Sequence, residues 1–375
     1  MPDLAPPAGG SARPWQDDRH AVASHLAGNL GPTVTTGHGP AVSSGQNPVG
    51  PRVVLFALGG TISMAGQDGR GVITRLTGKD LVGSVEALGT GEIDVRDAAA
   101  VPSANLSFGD ILDVAGEAAA AVAEGAAGIV LTQGTDTLEE TAFLVDSVWP
   151  HDAPFVLTGA MRNPALPGAD GPANLQAAVA VAASRSARRR GALVVFNDDI
   201  HAARHVRKTH STSTATFSSP DTGAIGHVVE RVPRFLAQVS QRTPITGISR
   251  DRLAATRIAL YTMTLDDDGA LLGQIGGSYQ GLVVAGFGVG HVPAVLAPVL
   301  GDLAAAMPVV LTSRTGAGPV LTDTYGAIGS ERDLRDRGLI SGGFVHPYKA
   351  RVLLRLLVAQ GAPASAVATA FADLG

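Results

Sequence analysis

The stretch Leu131–Ala142, "LTQGTDTLEETA", sets Thr135 and Thr137 on either side of Asp136, directly after the apolar run "GIVLT". Hydroxyl, carboxylate and hydroxyl stand where a strand gives way to a helix. One reading is structural: a threonine caps the helix and the acidic residue complements its dipole. The other is chemical: the hydroxyls and the helix N-terminus hold a small ligand, and Asp136 binds a cationic group such as an α-ammonium. Three further stretches pose the same choice. In "ALGGTIS", Gly59 and Gly60 permit a sharp turn that presents Thr61; the third glycine of a dinucleotide fingerprint is missing. In "VPSANLSF", Ser103 and Asn105 either cap a helix or bind a carboxylate. In "NDDIHAARHVRKTHSTSTATFSSP", Lys208 is either a solvated loop lysine or a partner for Thr135 or Asp136.

Taken together, two threonines at strand ends, an aspartate and a lysine suit acyl transfer through a hydroxyl nucleophile. A neutral threonine is a poor nucleophile and needs an adjacent base or cation, which Lys208 can supply. Competing chemistries find less support. The chain has no cysteine and no "GxSxG" elbow. His201, His205 and His210 share one loop, but no acidic ligand cluster accompanies them, so no metal site is read there.

These residues need a scaffold, and the pattern of the chain predicts one. Residues 1–50 are rich in Pro, Gly, Ser and Ala without helical or strand period, and read as a disordered tail. From "PRVVLFALGG" onward, short apolar strands alternate with amphipathic helices. "RVVLFAL", "AGIVLT", "APFVLTG" and "GALVVFND" read as strands. "LTGKDLVGSVEAL", "SFGDILDVAGEAAAAVAEG", "TLEETAFLVDSVW" and "GPANLQAAVAVAASRSA" read as helices, the second with Ser107 as N-cap, Asp110 three residues on and Gly125 closing it. The fold class is α/β: a larger N-terminal parallel-sheet domain with helices on both faces (residues 51–235), a connection (236–255) and a smaller C-terminal α/β domain (256–375). In an open parallel sheet, ligands sit outside the carboxyl ends of the strands, where the four stretches fall. A net charge of −5, with "SARRR" as the only dense basic run, argues against nucleic acid. No run approaches the ~18 apolar residues of a membrane span, and no secretory signal is read, so the expectation is a cytoplasmic enzyme.

Five motifs carry a resemblance: "LGGTIS" (Leu58–Ser63), "LTQGTDTLEETA", "VLTGAMR" (Val156–Arg162), "KTHSTSTATFSSP" (Lys208–Pro220) and "GGFVHPYKARVLL" (Gly342–Leu354). In combination they resemble the bacterial-type L-asparaginase/glutaminase family from about residue 52 to the end. The resemblance implies hydrolysis of the side-chain amide of L-asparagine, and in some members L-glutamine. It implies no metal or cofactor, a small-molecule substrate and a homo-oligomer, dimer or tetramer, with the site between subunits. It implies Thr61 as primary nucleophile, Thr135 as second catalytic threonine and Lys208 as its activating partner. Asp136 then binds the substrate α-ammonium, Ser103 the α-carboxylate, and the carbonyl of Ala160 the side-chain amide. The chain departs from the family pattern in three places. Leu58 stands where a threonine is usual and Ala104 where a glutamine is common. The loop "SMAGQDGRGVITRLTG" has no tyrosine, Val72 or Ile73 standing near its place; Gly69 and Gly71 fit a lid. An amidase acting on a larger substrate and a non-catalytic amino-acid-binding protein are the alternative readings.

Overall fold

The computed structural model describes residues 50–65, 73–74, 78–83, 91–240 and 243–374. The tail up to residue 49 lies outside them, as do Gly69, Gly71 and Val72 of the lid reading.

The chain opens with β1 (Val53–Ala57) and a short turn of helix at Thr61–Ser63. A two-residue ladder, β2 (Met64–Ala65) with β3 (Ile73–Thr74), and α1 (Gly78–Gly83) follow. Then come β4 (Ile93–Asp97), α2 (Phe108–Ala123), β5 (Gly128–Thr132), α3 (Leu138–Val148), β6 (Phe155–Thr158), α4 (Gly171–Ala183) and β7 (Ala192–Phe196). Strands β4, β1, β5, β6 and β7 are parallel neighbours in that order. Strands β1, β5, β6 and β7 are apolar runs buried along their whole length. Their alternate residues feed two cores. Val54 and Phe56 pack with Ile111 of α2 and Phe143 of α3, while Val53 and Leu55 pack with Leu175 and Val179 of α4. Helix α2 starts as its sequence predicts: Ser107 Oγ accepts from the Asp110 amide, and Asp110 accepts from the Ser107 amide.

Beyond β7 the parallel sheet is continued by antiparallel strands that the sequence pattern does not announce. Strands β8 (Asp199–Ala202), β11 (Gly226–Val229) and β12 (Val232–Phe235) extend it antiparallel to eight strands. The polar stretch read as a loop forms a hairpin between β8 and β11, with β9 (Arg207–Lys208) paired to β10 (Phe217–Ser218). The helix read through "GPANLQAAVAVAASRSA" ends earlier, at Ala183: Arg185–Ala187 form a single 3-10 turn after α4, and Arg190 lies over the Phe235 ring.

After α5 (Arg250–Ala255), a smaller parallel sheet is built from β13 (Ile258–Thr262), β14 (Gly281–Gly286), β15 (Val309–Ser313) and β16 (Ile340–Ser341). Helices α6 (Ala297–Ala306) and α7 (Glu331–Asp336) cover one face, placing Leu300 and Leu334 in its core. Helices α8 (Pro347–Gln360) and α9 (Ala364–Ala372) close the chain. Leu353 and Leu357 of α8 share one core with Phe143 and Val145 of α3, so α8 ties the two sheets together.

Candidate active site

The strand order reverses around β1: the chain moves from β1 to β4 on one side, then to β5 on the other. Such a switch point opens a crevice at the carboxyl edge of the sheet. Register sets the depth of that edge, because Ala57, Thr132 and Thr158 lie level across β1, β5 and β6. Thr61, Thr135 and Ala160 follow these ends by four, three and two residues.

At the first end, Gly59 and Gly60 adopt φ of +87° and +91°, in the left-handed region that glycine tolerates. The turn is tight as well as unusual. A Cβ on Gly60 would lie 2.2 Å from the Gly134 amide nitrogen. The β1 and β5 turns are therefore in backbone contact one residue before Thr61 and Thr135. The loop carrying Ser103 packs against the same point: Ser103 Oγ lies 2.7 Å from where a Cβ on Gly134 would sit. Ser103 is buried, and its Oγ has no hydrogen-bond partner among the described residues. Its carbonyl accepts a 3.0 Å bond from Thr137 Oγ1. Ala160 is buried beside Ile62, in the core beneath the Thr61 turn.

The capping reading of "GTDT" is not what the structure shows. Thr137 is the N-cap residue of α3, yet its side chain makes no cap hydrogen bond and turns to Ser103 instead. Thr135 is buried and meets a group from far along the chain: Lys208 Nζ lies 2.9 Å from its Oγ1. The same amine donates to Asp136 Oδ1 at 2.8 Å. Lys208 is thus no solvated lysine, since only 17% of its side chain is exposed, against 71% for Asp136.

Sequence reasoning missed two residues behind this lysine. Glu139, in the first turn of α3, accepts the Lys208 backbone N–H on Oε2 at 3.1 Å. Burial pushes its carboxyl up from the ordinary range, opposed by the charges of Lys349, Arg207 and Lys208. Lys349, in the first turn of α8, is fully buried and donates to the Val206 carbonyl. Burial pulls its ammonium down to about 7, opposed by Glu139 and Asp146. The signal for both was a charged residue on a helix face otherwise committed to the core. Two of the three loop histidines have separate side-chain partners. His201 Nδ1 pairs with Ser219 Oγ at 2.9 Å, and His210 Nδ1 accepts from the Thr212 and Ser213 amides. Among the described residues no group of three or more His, Asp or Glu side chains is arranged to hold a metal, and no helix is long and apolar enough to cross a membrane.

A mostly parallel α/β sheet thus brings Ser103, Thr135, Asp136 and Lys208 together beside the Thr61 turn at its switch point, the arrangement of an α/β enzyme. The family models for the asparaginase N-terminal domain and the glutaminase/asparaginase C-terminal domain match residues 52–241 and 257–371. The chain therefore belongs to the asparaginase family, as an enzyme of the L-asparaginase type. It is 34% identical over 317 residues to the probable L-asparaginase of Deinococcus radiodurans, covering 83% of this chain and 94% of that protein. It is 32% identical over 321 residues to the probable periplasmic L-asparaginase of Haemophilus influenzae, covering 83% and 89%. The crystal structure of a probable cytoplasmic L-asparaginase from Campylobacter jejuni superposes with a TM-score of 0.75 at 30% identity, over 86% of this chain and 99% of that one.

Proposed function

We propose that the protein hydrolyses the side-chain amide of L-asparagine to L-aspartate and ammonia through an acyl-threonine intermediate. The observation that carries this reading is the contact of Lys208 Nζ with both Thr135 Oγ1 and Asp136 Oδ1. Asp136 and Ser103 hold the two ends of the substrate zwitterion, the ammonium on the exposed carboxylate and the carboxylate on the unpartnered Ser103 hydroxyl. Two fixed ends bring the amide carbon to the threonines, which turns a bimolecular attack into a positioned one. Thr61 Oγ attacks that carbon. Its proton passes to the leaving nitrogen, which departs as ammonia, and a β-aspartyl ester on Thr61 remains. Water then attacks the ester, returns a proton to Thr61 and releases aspartate. Lys208 and Thr135 relay protons in both steps, and with no tyrosine in the "SMAGQDGRGVITRLTG" loop they take the larger share of activation. The backbone amides of the two glycine turns and the Ala160 carbonyl hold the amide group; one such oxyanion donor is worth about 3 kcal/mol. The same reading divides the chain into domains at 51–235 and 256–375, joined by 236–255, assembles it as a homodimer or homotetramer and assigns it to the cytoplasm.

Ammonia release from L-Asn, L-Gln and D-Asn, with Thr61→Ala as control, tests the reading. Release from L-Asn that vanishes in the control is the expected result, and the L-Gln arm ranks the two amides. Absence of release, with L-Asn still raising the melting temperature, would make the protein an amino-acid-binding one on this scaffold.

A further inference from the structure

The strand that carries Lys208 is only two residues long and sits in a polar hairpin. Its own ladder with β10 pairs Lys208 with Phe217 and Arg207 with Ser218. Two residues of such a strand do not hold an amine to a fraction of an ångström by themselves, and a two-stranded hairpin is marginal alone. Yet its backbone is gripped from outside the hairpin at both ends. On the C-terminal side, the Lys208 N–H is taken by the buried Glu139 carboxylate of α3. On the N-terminal side, the Val206 carbonyl is taken by the buried Lys349 ammonium of α8.

We infer that Glu139 and Lys349 are positioning residues that clamp the Val206–Lys208 backbone from opposite ends and so fix the reach of the Lys208 amine to Thr135. The inference rests on the catalytic reading of Lys208 given above.

Three observations carry it. First, both groups are charged side chains with about 5% and 1% of their surface exposed, a costly placement unless it performs a task. Second, both spend a hydrogen bond on backbone within two residues of Lys208, rather than on each other. Each is the other's largest favourable charge, so the pair is electrostatically coupled across the strand it holds. Third, the clamp joins separate parts of the fold. Glu139 sits in the first turn of α3, directly after the turn that presents Thr135 and Asp136, whereas Lys349 comes from α8, which packs on the smaller sheet. The C-terminal part of the chain thereby reaches the reacting groups without touching substrate. Arg207, between the clamped positions, donates to the Gly316 carbonyl of the loop after β15, which reinforces the same junction.

The test compares Glu139→Ala, Glu139→Gln, Lys349→Met and Lys208→Met in the full-length protein, with kcat expressed per site competent to bind L-aspartate by calorimetry. Glu139→Ala and Lys349→Met are expected to lower kcat ten- to a hundredfold, with KM for L-Asn within about threefold of the parent. Glu139→Gln, which keeps an acceptor oxygen and nearly the same shape, is expected to recover most of the loss. Placed on Lys208→Met, the Glu139 and Lys349 changes are expected to add nothing further, because the group they position is gone. A purely structural role would instead lower the number of competent sites and leave kcat per site unchanged, and that result overturns the inference. So do losses that multiply on the Lys208→Met background, or a Gln variant as slow as the Ala variant. If Lys208→Met itself turns over normally, the catalytic reading of Lys208 is what fails, and the two failures are told apart.

Discussion

The molecule has two parallel sheets with polar side chains at their carboxyl edges, and the two edges use them differently. At the smaller sheet, Thr312 Oγ1 donates to the Val284 carbonyl at 2.8 Å, Ser313 Oγ donates to the Gly288 carbonyl, and Thr315 Oγ1 donates to the Ala317 carbonyl. Arg314 caps the Met263 carbonyl and lies 4.4 Å over the Phe287 ring. These side chains serve the backbone. At the larger sheet, Ser103 Oγ is buried without a partner and Thr135 Oγ1 is bonded to the Lys208 amine. An unsatisfied buried hydroxyl costs about 1–3 kcal/mol, so a fold keeps one where a ligand can complete it. The edges thus differ in that Ser103 and Thr135, unlike Thr312, Ser313 and Thr315, do not spend their hydroxyls on backbone carbonyls, and the proposed site draws on that difference.

The comparison can be broken most severely at the larger edge. Thr135→Ala and Lys208→Met are each expected to cut turnover of L-Asn a hundredfold or more, read as ammonia release under saturating substrate; near-normal rates would remove the distinction between the two edges. Gly60→Ala comes next. It forces a side chain into a φ of +91° and against the Gly134 backbone, and is expected to cost on the order of 3 kcal/mol in urea unfolding and to abolish activity.

A weaker effect is expected at the junction between the sheets. Burial, aided by Arg204 and Lys349 and opposed by Asp221 and Asp146, holds His205 down to about 4. Burial, aided by Arg207 and Lys349, holds His346 down to about 3. Both are neutral when folded and bind protons more readily when unfolded, so their stability contribution is complete above about pH 6.5 and is lost as pH falls toward 4 and then 3. Melting temperature is expected to drop by several degrees between pH 7 and 5, and His205→Asn to reduce that slope. A flat profile would show that neither imidazole is held neutral. The smallest effects separate the edges directly. Ser103→Ala is expected to raise KM about tenfold with kcat little changed. Ser313→Ala at the other edge is expected to leave both constants within twofold while lowering stability by about 1 kcal/mol.

Sequence legibility followed the physics of each element. Strands β1, β5, β6 and β7 were readable because burial on both faces demands unbroken apolar runs. Helix α2 was readable because its capping box is local. The antiparallel extension was not, since "DIHA", "GHVV" and "VPRF" are only four residues each and mixed in polarity, the last two partly exposed as well. The turn into β8 left a trace, as Asn197 and Asp198 both take positive φ in a tight hairpin. The turn into β12 left none, for Glu230 and Arg231 adopt the same conformation without the usual residues. In the site, the "GTDT" and "GGTI" turns announced themselves through local spacing. The pairing of Lys208 with Thr135 spans 73 positions and was legible as a possibility, whereas the grip of Glu139 and Lys349 on that strand depends on how α3 and α8 meet.

Whether Thr135 and Lys208 act as one unit is decided by the turnover of the Thr135→Ala, Lys208→Met double variant. Residues that act as a unit are non-additive when removed together. A double variant within about threefold of the slower single one is the expected result. Losses that multiply would contradict it, because they would mean the two groups assist the reaction independently despite the 2.9 Å contact between them.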